Sequence, residues 1–276
     1  MTENEYLDIL ERLCVPCRDD GSHFTETDRL EVIDEILSEH NSPYKRRNYS
    51  GLFALYSRVN PKTVKNAVVI SSHIDCVSNI REFYSREADD SFLHGTYDNA
   101  VTDAASLIAM LGGRLPDNVF VAYTGDEEED SQGASDLCEY LSELCDVEFF
   151  AIVTDVTHDG FEDGAAFTVE NDFLYDEELS AVAGIAERCG CMWRYVPESL
   201  GDIPECITPS HFVPHESLED ESWEYDENDV SCFSLCLPCK GNMHSGAGVK
   251  IRRQSFFEYC DVLPKMATEL YNEFYN

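Results

Sequence analysis

The sequence predicts an α/β protein in three layers, α-β-α, with helices on both faces of a mixed, largely parallel sheet. Three observations lead there. Several short runs are β-branched and nearly continuously apolar, as strands buried on both faces must be. Those runs alternate with segments of helical apolar spacing, the order that builds parallel sheets. The chain has 276 residues with 43% hydrophobic content, enough to bury a sizeable core.

Taken in order, Glu3 to Leu13 and Glu26 to Leu37 have helical spacing, the second opened by Thr25 as a cap. Between them "CVPCRDDGSHF" carries Pro16 and Gly21 and reads as a loop. Strands are expected at Gly51 to Ser57, Asn66 to Ser72, Asn118 to Thr124, Phe149 to Asp155 and Val230 to Leu237. Helices are expected at about Asn99 to Leu111, Ala134 to Leu144, Asp176 to Arg188 and Ser255 to Tyr271. The acidic stretch His215 to Asp229, "HESLEDESWEYDEND", is too charged for a core element and reads as a loop or exposed helix. No internal repeat is visible.

Charge narrows the function. Asp and Glu total 55 against 19 Lys and Arg, a formal net charge of −36. Nucleic acid and anionic membranes are repelled by such a surface, so neither is an expected partner. The N-terminal "MTENEYLDIL" lacks a basic start and an apolar segment, and no run approaches a membrane span, so a soluble cytoplasmic protein is expected. In that compartment the 12 cysteines are expected to be reduced thiols, buried small hydrophobes or metal ligands rather than a disulfide framework.

Open parallel sheets place ligands beyond the carboxyl ends of their strands. The residues just past each apolar run therefore matter most, and they share a chemistry. His73 and Asp75 follow the second run, the acids Asp126 to Asp130 follow the third, and Asp155 ends the fourth. His244 follows the fifth, and Asp98 stands at the mouth of a helix. Two histidines and three carboxylates are ligand types that suit Zn²⁺. Singly, each has a bland explanation as a helix cap or a structural side chain; jointly they suggest a metal site.

At these positions the sequence resembles the dinuclear zinc exopeptidases, and within them the glutamyl and deblocking aminopeptidases that form tetrahedral particles. The resemblance spans Ile9 to Leu270 and rests on "SHID", "YDNA", "TGDEEEDSQGA", "VTDVTHDG" and "GNMHSG". It implies that His73 and Asp155 hold one zinc, that Glu128 and His244 hold the other, and that Asp98 bridges them, with Co²⁺ or Mn²⁺ as substitutes. It further implies that Glu127 is the general base acting on a bridging water, that Asp75 accepts the His73 ring N–H, and that Asp98-Asn99 is a cis peptide. Charge supports the ligand set: two Zn²⁺ are balanced by Asp98, Glu128, Asp155 and a hydroxide. Asp126, Glu129 and Asp130 are bystanders in this reading.

There are departures. Glu129 and Asp130 stand where the family often has Gly. Asp98 follows His73 by only 25 positions and no domain-sized insert follows Asp155, so residues 1–276 are expected to form one catalytic domain without the dimerisation domain of larger relatives. Assembly into large particles is not expected on that ground, and the oligomeric state stays open. A competing metal reading joins Cys14, Cys17, Cys236 and Cys239 in a structural zinc site. His211 and His215 have zinc spacing, but Pro214 between them argues against a regular helical face. His94 and His158 lie close in sequence to proposed ligands and are expected at the surface, with a place behind the ligands or beside the substrate as the alternative, and Cys76 is expected in apolar packing.

The expected activity is release of N-terminal residues from a peptide substrate. A carboxypeptidase or amide deacylase on the same scaffold stays open, as does a non-catalytic acidic protein that binds a basic partner.

Overall fold

A computed structural model describes residues 1–14, 26–49, 52–77, 83–85, 91–128, 132–143, 148–171, 174–197 and 231–275. The chain begins with helices α1 (Glu3–Cys14) and α2 (Glu26–Glu39) and strands β1 (Lys45–Tyr49) and β2 (Phe53–Ser57). It continues through β3 (Asn66–His73), β4 (Tyr84–Ser85), β5 (Phe92–Gly95), α3 (Ala100–Leu111), β6 (Val119–Thr124), α4 (Gln132–Glu143) and β7 (Glu148–Thr157). The last elements are β8 (Phe167–Asn171), α5 (Asp176–Cys189), β9 (Trp193–Pro197), β10 (Ser231–Gly241), β11 (Val249–Arg252) and α6 (Arg253–Tyr275).

The strands form one sheet in the order β1-β2-β6-β3-β7-β10-β11-β5-β4, with β8 paired to β10 and β9 to β8. Its centre, β6-β3-β7-β10, is parallel, and the flanks are antiparallel apart from the β8–β9 pair. A mixed sheet with a parallel centre, flanked by helices, is the architecture expected from the sequence.

Period-two alternation assigns each central side chain to a face. Val68, Ile70, Val119, Val121, Phe150 and Ile152 face a large core shared with α1, α2, α3, α5 and α6. Their neighbours Val69, Phe120, Ala122, Ala151 and Val153 face a smaller core closed by Leu137, Cys138 and Leu141 of α4. Both faces are dry, which is why these strands read as unbroken apolar runs.

The sequence missed the short flanking strands. β1 is "KRRNY", whose basic residues face solvent along a sheet edge, where charge discourages pairing with another chain. β4 and β11 offer too few residues for an apolar period, and β9 is largely exposed. Two expected ends also move. β7 continues past Asp155 to Thr157, and β10 runs through Pro238 to Gly241 into a hairpin with β11. Pro238 is tolerated because the β8 ladder has already ended at Cys236.

The acidic stretch at 215–229 and most of the expected loop after α1 lie outside the described residues; Cys14, expected in that loop, is the buried last residue of α1. Among the described residues no helix is long and apolar enough to cross a membrane.

Candidate metal centre

Adjacent parallel strands deliver the candidate residues to one edge of the sheet. His73 is the last residue of β3, which lies between β6 and β7. Asp155 comes from β7, Asp98 from the entry to α3, Glu127 and Glu128 from the turn after β6, and His244 from the turn joining β10 to β11.

Adjacent residues on a strand point to opposite faces, so the Glu pair needs a break in the strand. Asp126 supplies it with φ of +66°, a left-handed conformation that Asp tolerates better than most residues. Glu127 Oε2 then lies 3.7 Å from His73 Nε2, and Glu128 Oε2 lies 3.5 Å from His244 Nε2. The turn is closed by Gly133, whose N–H donates to Gly125 O, while Gly125 N–H donates to Leu52 O. A Cβ on Gly133 would run into both of those carbonyl oxygens, so a side chain here would displace the turn that carries the Glu pair.

The side chains meet in two groups that share one member. His73 Nε2 is 3.2 Å from Asp98 Oδ1 and 3.2 Å from Asp155 Oδ2. Asp98 Oδ2, the other oxygen of the same carboxylate, is 3.5 Å from His244 Nε2. His73, Asp98 and Asp155 can thus offer ligand atoms to one ion, and Asp98, Glu128 and His244 to another; His73, Glu127 and Glu128 also converge. Asp75 stands behind them. Its Oδ1 faces His73 Nδ1 at 3.3 Å, and its Oδ2 accepts the Glu128 backbone N–H at 3.0 Å. The Asp98-Asn99 peptide is cis.

The donor set fits a divalent cation. His73 Nε2, Asp98 Oδ1 and Asp155 Oδ2 are buried and converge without hydrogen-bond partners among the described residues. Buried polar atoms in that condition are costly unless something else satisfies them. Burial, reinforced by neighbouring carboxylates, pushes Glu127 up to about 7, Glu128 to about 8 and Asp155 to about 7. Asp98 goes the other way: burial would raise it, but His244 and His73 hold it well below the usual carboxylate range. Asp75 is likewise held low, because the His73 ring and the Glu128 N–H outweigh its burial. Carboxylates crowded in this way gain from a cation, and they must give up protons to bind it.

A pH dependence follows. In the metal-free protein Glu127, Glu128 and Asp155 keep protons that the unfolded chain releases near 4.5 for Glu and 3.8 for Asp. Their raised values favour folding at low pH, and that contribution is lost as pH rises through about 7 to 8. The chelated protein should therefore show a falling Tm between pH 5 and 8, while the rise in Tm on adding Zn²⁺ grows over the same interval. A metal-induced rise that is flat across this range would contradict the coupling.

At the periphery some expectations hold and others change. His158 is exposed and His94 half-buried, and neither is idle. Their Nε2 atoms lie 2.9 Å from Gly241 O and Ala247 O, carbonyls on either side of the His244 turn, so both rings donate there. Cys76 is not simply apolar packing: its Sγ accepts from Arg29 at 3.0 Å and lies 3.5 Å from Asp98 O. Cys236 and Cys239 are buried within β10, where burial pushes the Cys239 thiol up and away from a thiolate. Cys17, His211 and His215 lie outside the described residues.

Sequence reasoning missed the layer beneath the site. Asn99 donates to Thr154 O at 2.8 Å, and Ser72 donates to Asp103 Oδ1 at 2.8 Å. Asp103 is fully buried beside Arg29. A charged residue within the apolar run "AVTDAASLIAML" was the available signal.

No protein-family model matches the sequence, and no curated protein matches it. Solved structures do match, and the fold they share with this chain is that of several aminopeptidases. A TET aminopeptidase from a marine sediment archaeon of the Thaumarchaeota superposes with a TM-score of 0.69 at 10% identity, over 96% of each chain. The Pyrococcus horikoshii TET1 peptidase, which can assemble into a tetrahedron or a large octahedral shell, gives 0.64 at 12% identity, over 96% of this chain and 99% of that one. Yeast aminopeptidase 1 gives 0.63 at 12% identity, over 99% of each chain. At such identity the likeness establishes the fold, and function must be argued from the site.

Proposed function

We propose that this chain is a dinuclear zinc peptidase, an aminopeptidase that removes N-terminal residues from peptides, with residues 1–276 acting as one catalytic domain. The observation that carries the reading is the division of Asp98: one oxygen faces His73, the other His244. A carboxylate so placed can serve two ions, His73 and Asp155 completing one ligand set and Glu128 and His244 the other. When bound, the ions lower the pKa of water and polarise a carbonyl.

The chain's own groups supply the rest. Glu127 is the general base. In this role it takes a proton from the attacking water as the C–O bond forms, and returns it to the departing amine as the C–N bond breaks. Glu127 is farther from His73 Nε2 than Asp98 and Asp155 are, which favours a base over a ligand. Asp75 Oδ1 lies 3.3 Å from His73 Nδ1, where in this reading it would take the Nδ1–H and leave Nε2 free to ligate, and its Oδ2 holds the backbone of Glu128.

The test is a panel of aminoacyl amides, peptides with free α-amines and the same peptides N-blocked, with and without added Zn²⁺. Metal-dependent cleavage of unblocked substrates alone supports the aminopeptidase. Cleavage of blocked substrates moves the assignment to a carboxypeptidase or deacylase. No turnover and no bound metal would favour a non-catalytic acidic binding protein.

A further inference from the structure

We propose that Arg29 is a positioning residue for the metal centre, clamping the segment that follows His73 so that His73, Asp75 and Asp98 keep their relative placement. The inference rests on the dinuclear reading above. Arg29 lies on α2, far in sequence from every candidate ligand, and its side chain is 1% exposed. A guanidinium this deep is costly unless its donors are used.

Its two terminal nitrogens reach one short segment. Nη1 donates to Ile74 O at 2.7 Å and lies 3.5 Å from Asp75 O, while Nη2 donates to Cys76 Sγ at 3.0 Å. The three residues gripped are those immediately after His73, and the middle one is Asp75. The Cys76 thiol extends the contact to the carbonyl of Asp98. On the other side Asp103, 3.8 Å from Arg29 Nη1, accepts from the hydroxyl of Ser72, the residue before His73. Arg29 and Asp103 therefore bracket His73 through both of its chain neighbours.

The forked geometry matters more than the charge. Burial pushes Asp103 up, against the pull of Arg29, and the 3.8 Å between Nη1 and Oδ2 is too long for a hydrogen-bonded ion pair. What remains is a planar set of donors spanning two backbone carbonyls and a sulfur, which a lysine ammonium cannot reproduce. Groups that orient ligands from behind typically change metal affinity by about 10- to 100-fold when removed.

The experiment compares the parent with Arg29→Lys, Arg29→Met and the double variant Arg29→Met/Asp103→Asn, which removes the partner charge and keeps an acceptor for Ser72. Fold is checked by circular dichroism and Tm. Zn²⁺ affinity is read by competition with a chromogenic chelator, and ligand geometry by the visible spectrum of the Co²⁺-loaded protein. The expected result is a folded double variant that binds metal at least about 10-fold more weakly with an altered Co²⁺ spectrum. Arg29→Lys, which keeps charge without the fork, should shift the same two readouts and carries the test if the Met variants do not fold. Parental affinity and an unchanged spectrum in a folded variant would overturn the proposal, leaving Arg29 as a fastener between α2 and β3. A parent that itself binds no metal would overturn the dinuclear reading instead, so the two failures are distinct.

Discussion

Replacing Glu127 by Gln is expected to leave metal binding intact and to lower hydrolysis by about 10²- to 10⁴-fold, the usual contribution of a positioned general base. Gln has nearly the same shape, so the turn set by Asp126 and closed against Gly133 should persist. What disappears is the ability to take a proton. The loss should fall on kcat more than on KM, because the proton moves only as the transition state forms. Steady-state kinetics together with the metal content of the same preparation check both halves. A variant that keeps the parent rate would show that another group is the base.

Replacing Asp98 by Ala should have the broader consequence. Because its two oxygens face His73 and His244 separately, its loss should weaken both metal sites, whereas His244→Ala should empty only one. Measured metal per chain should fall from about two toward zero in the first variant and to about one in the second, as expected for a carboxylate shared by a pair of ions. Activity should be lost in Asp98→Ala even at excess Zn²⁺, since no neighbour can replace a ligand common to both ions. Equal loss in the two variants would mean that Asp98 does not bridge.

The sequence carried most of the fold because the central strands are buried on both faces, and burial writes itself as unbroken apolar runs. It carried the candidate site because residues able to ligate a metal cluster where β3, β6, β7 and the β10 hairpin end. What stayed hidden has physical reasons. The short flanking strands are half exposed and too brief for a period to show. The handover from Glu127 to Glu128 depends on one backbone angle at Asp126 that composition does not encode. Arg29 reads as one charge among many on an amphipathic helix, although it points inward. Acid residues are so abundant in this chain that Asp103 looked like part of the background.

Whether this edge of the sheet is a two-ion hydrolytic centre can be read from a zinc titration of the metal-free protein. Hydrolysis of an unblocked aminoacyl amide would be followed as Zn²⁺ is added. Activity should rise with added metal and saturate at about two equivalents per chain, as a centre built around one shared carboxylate requires. Saturation at a single equivalent, or no activity at any ratio while the protein remains folded, would contradict it.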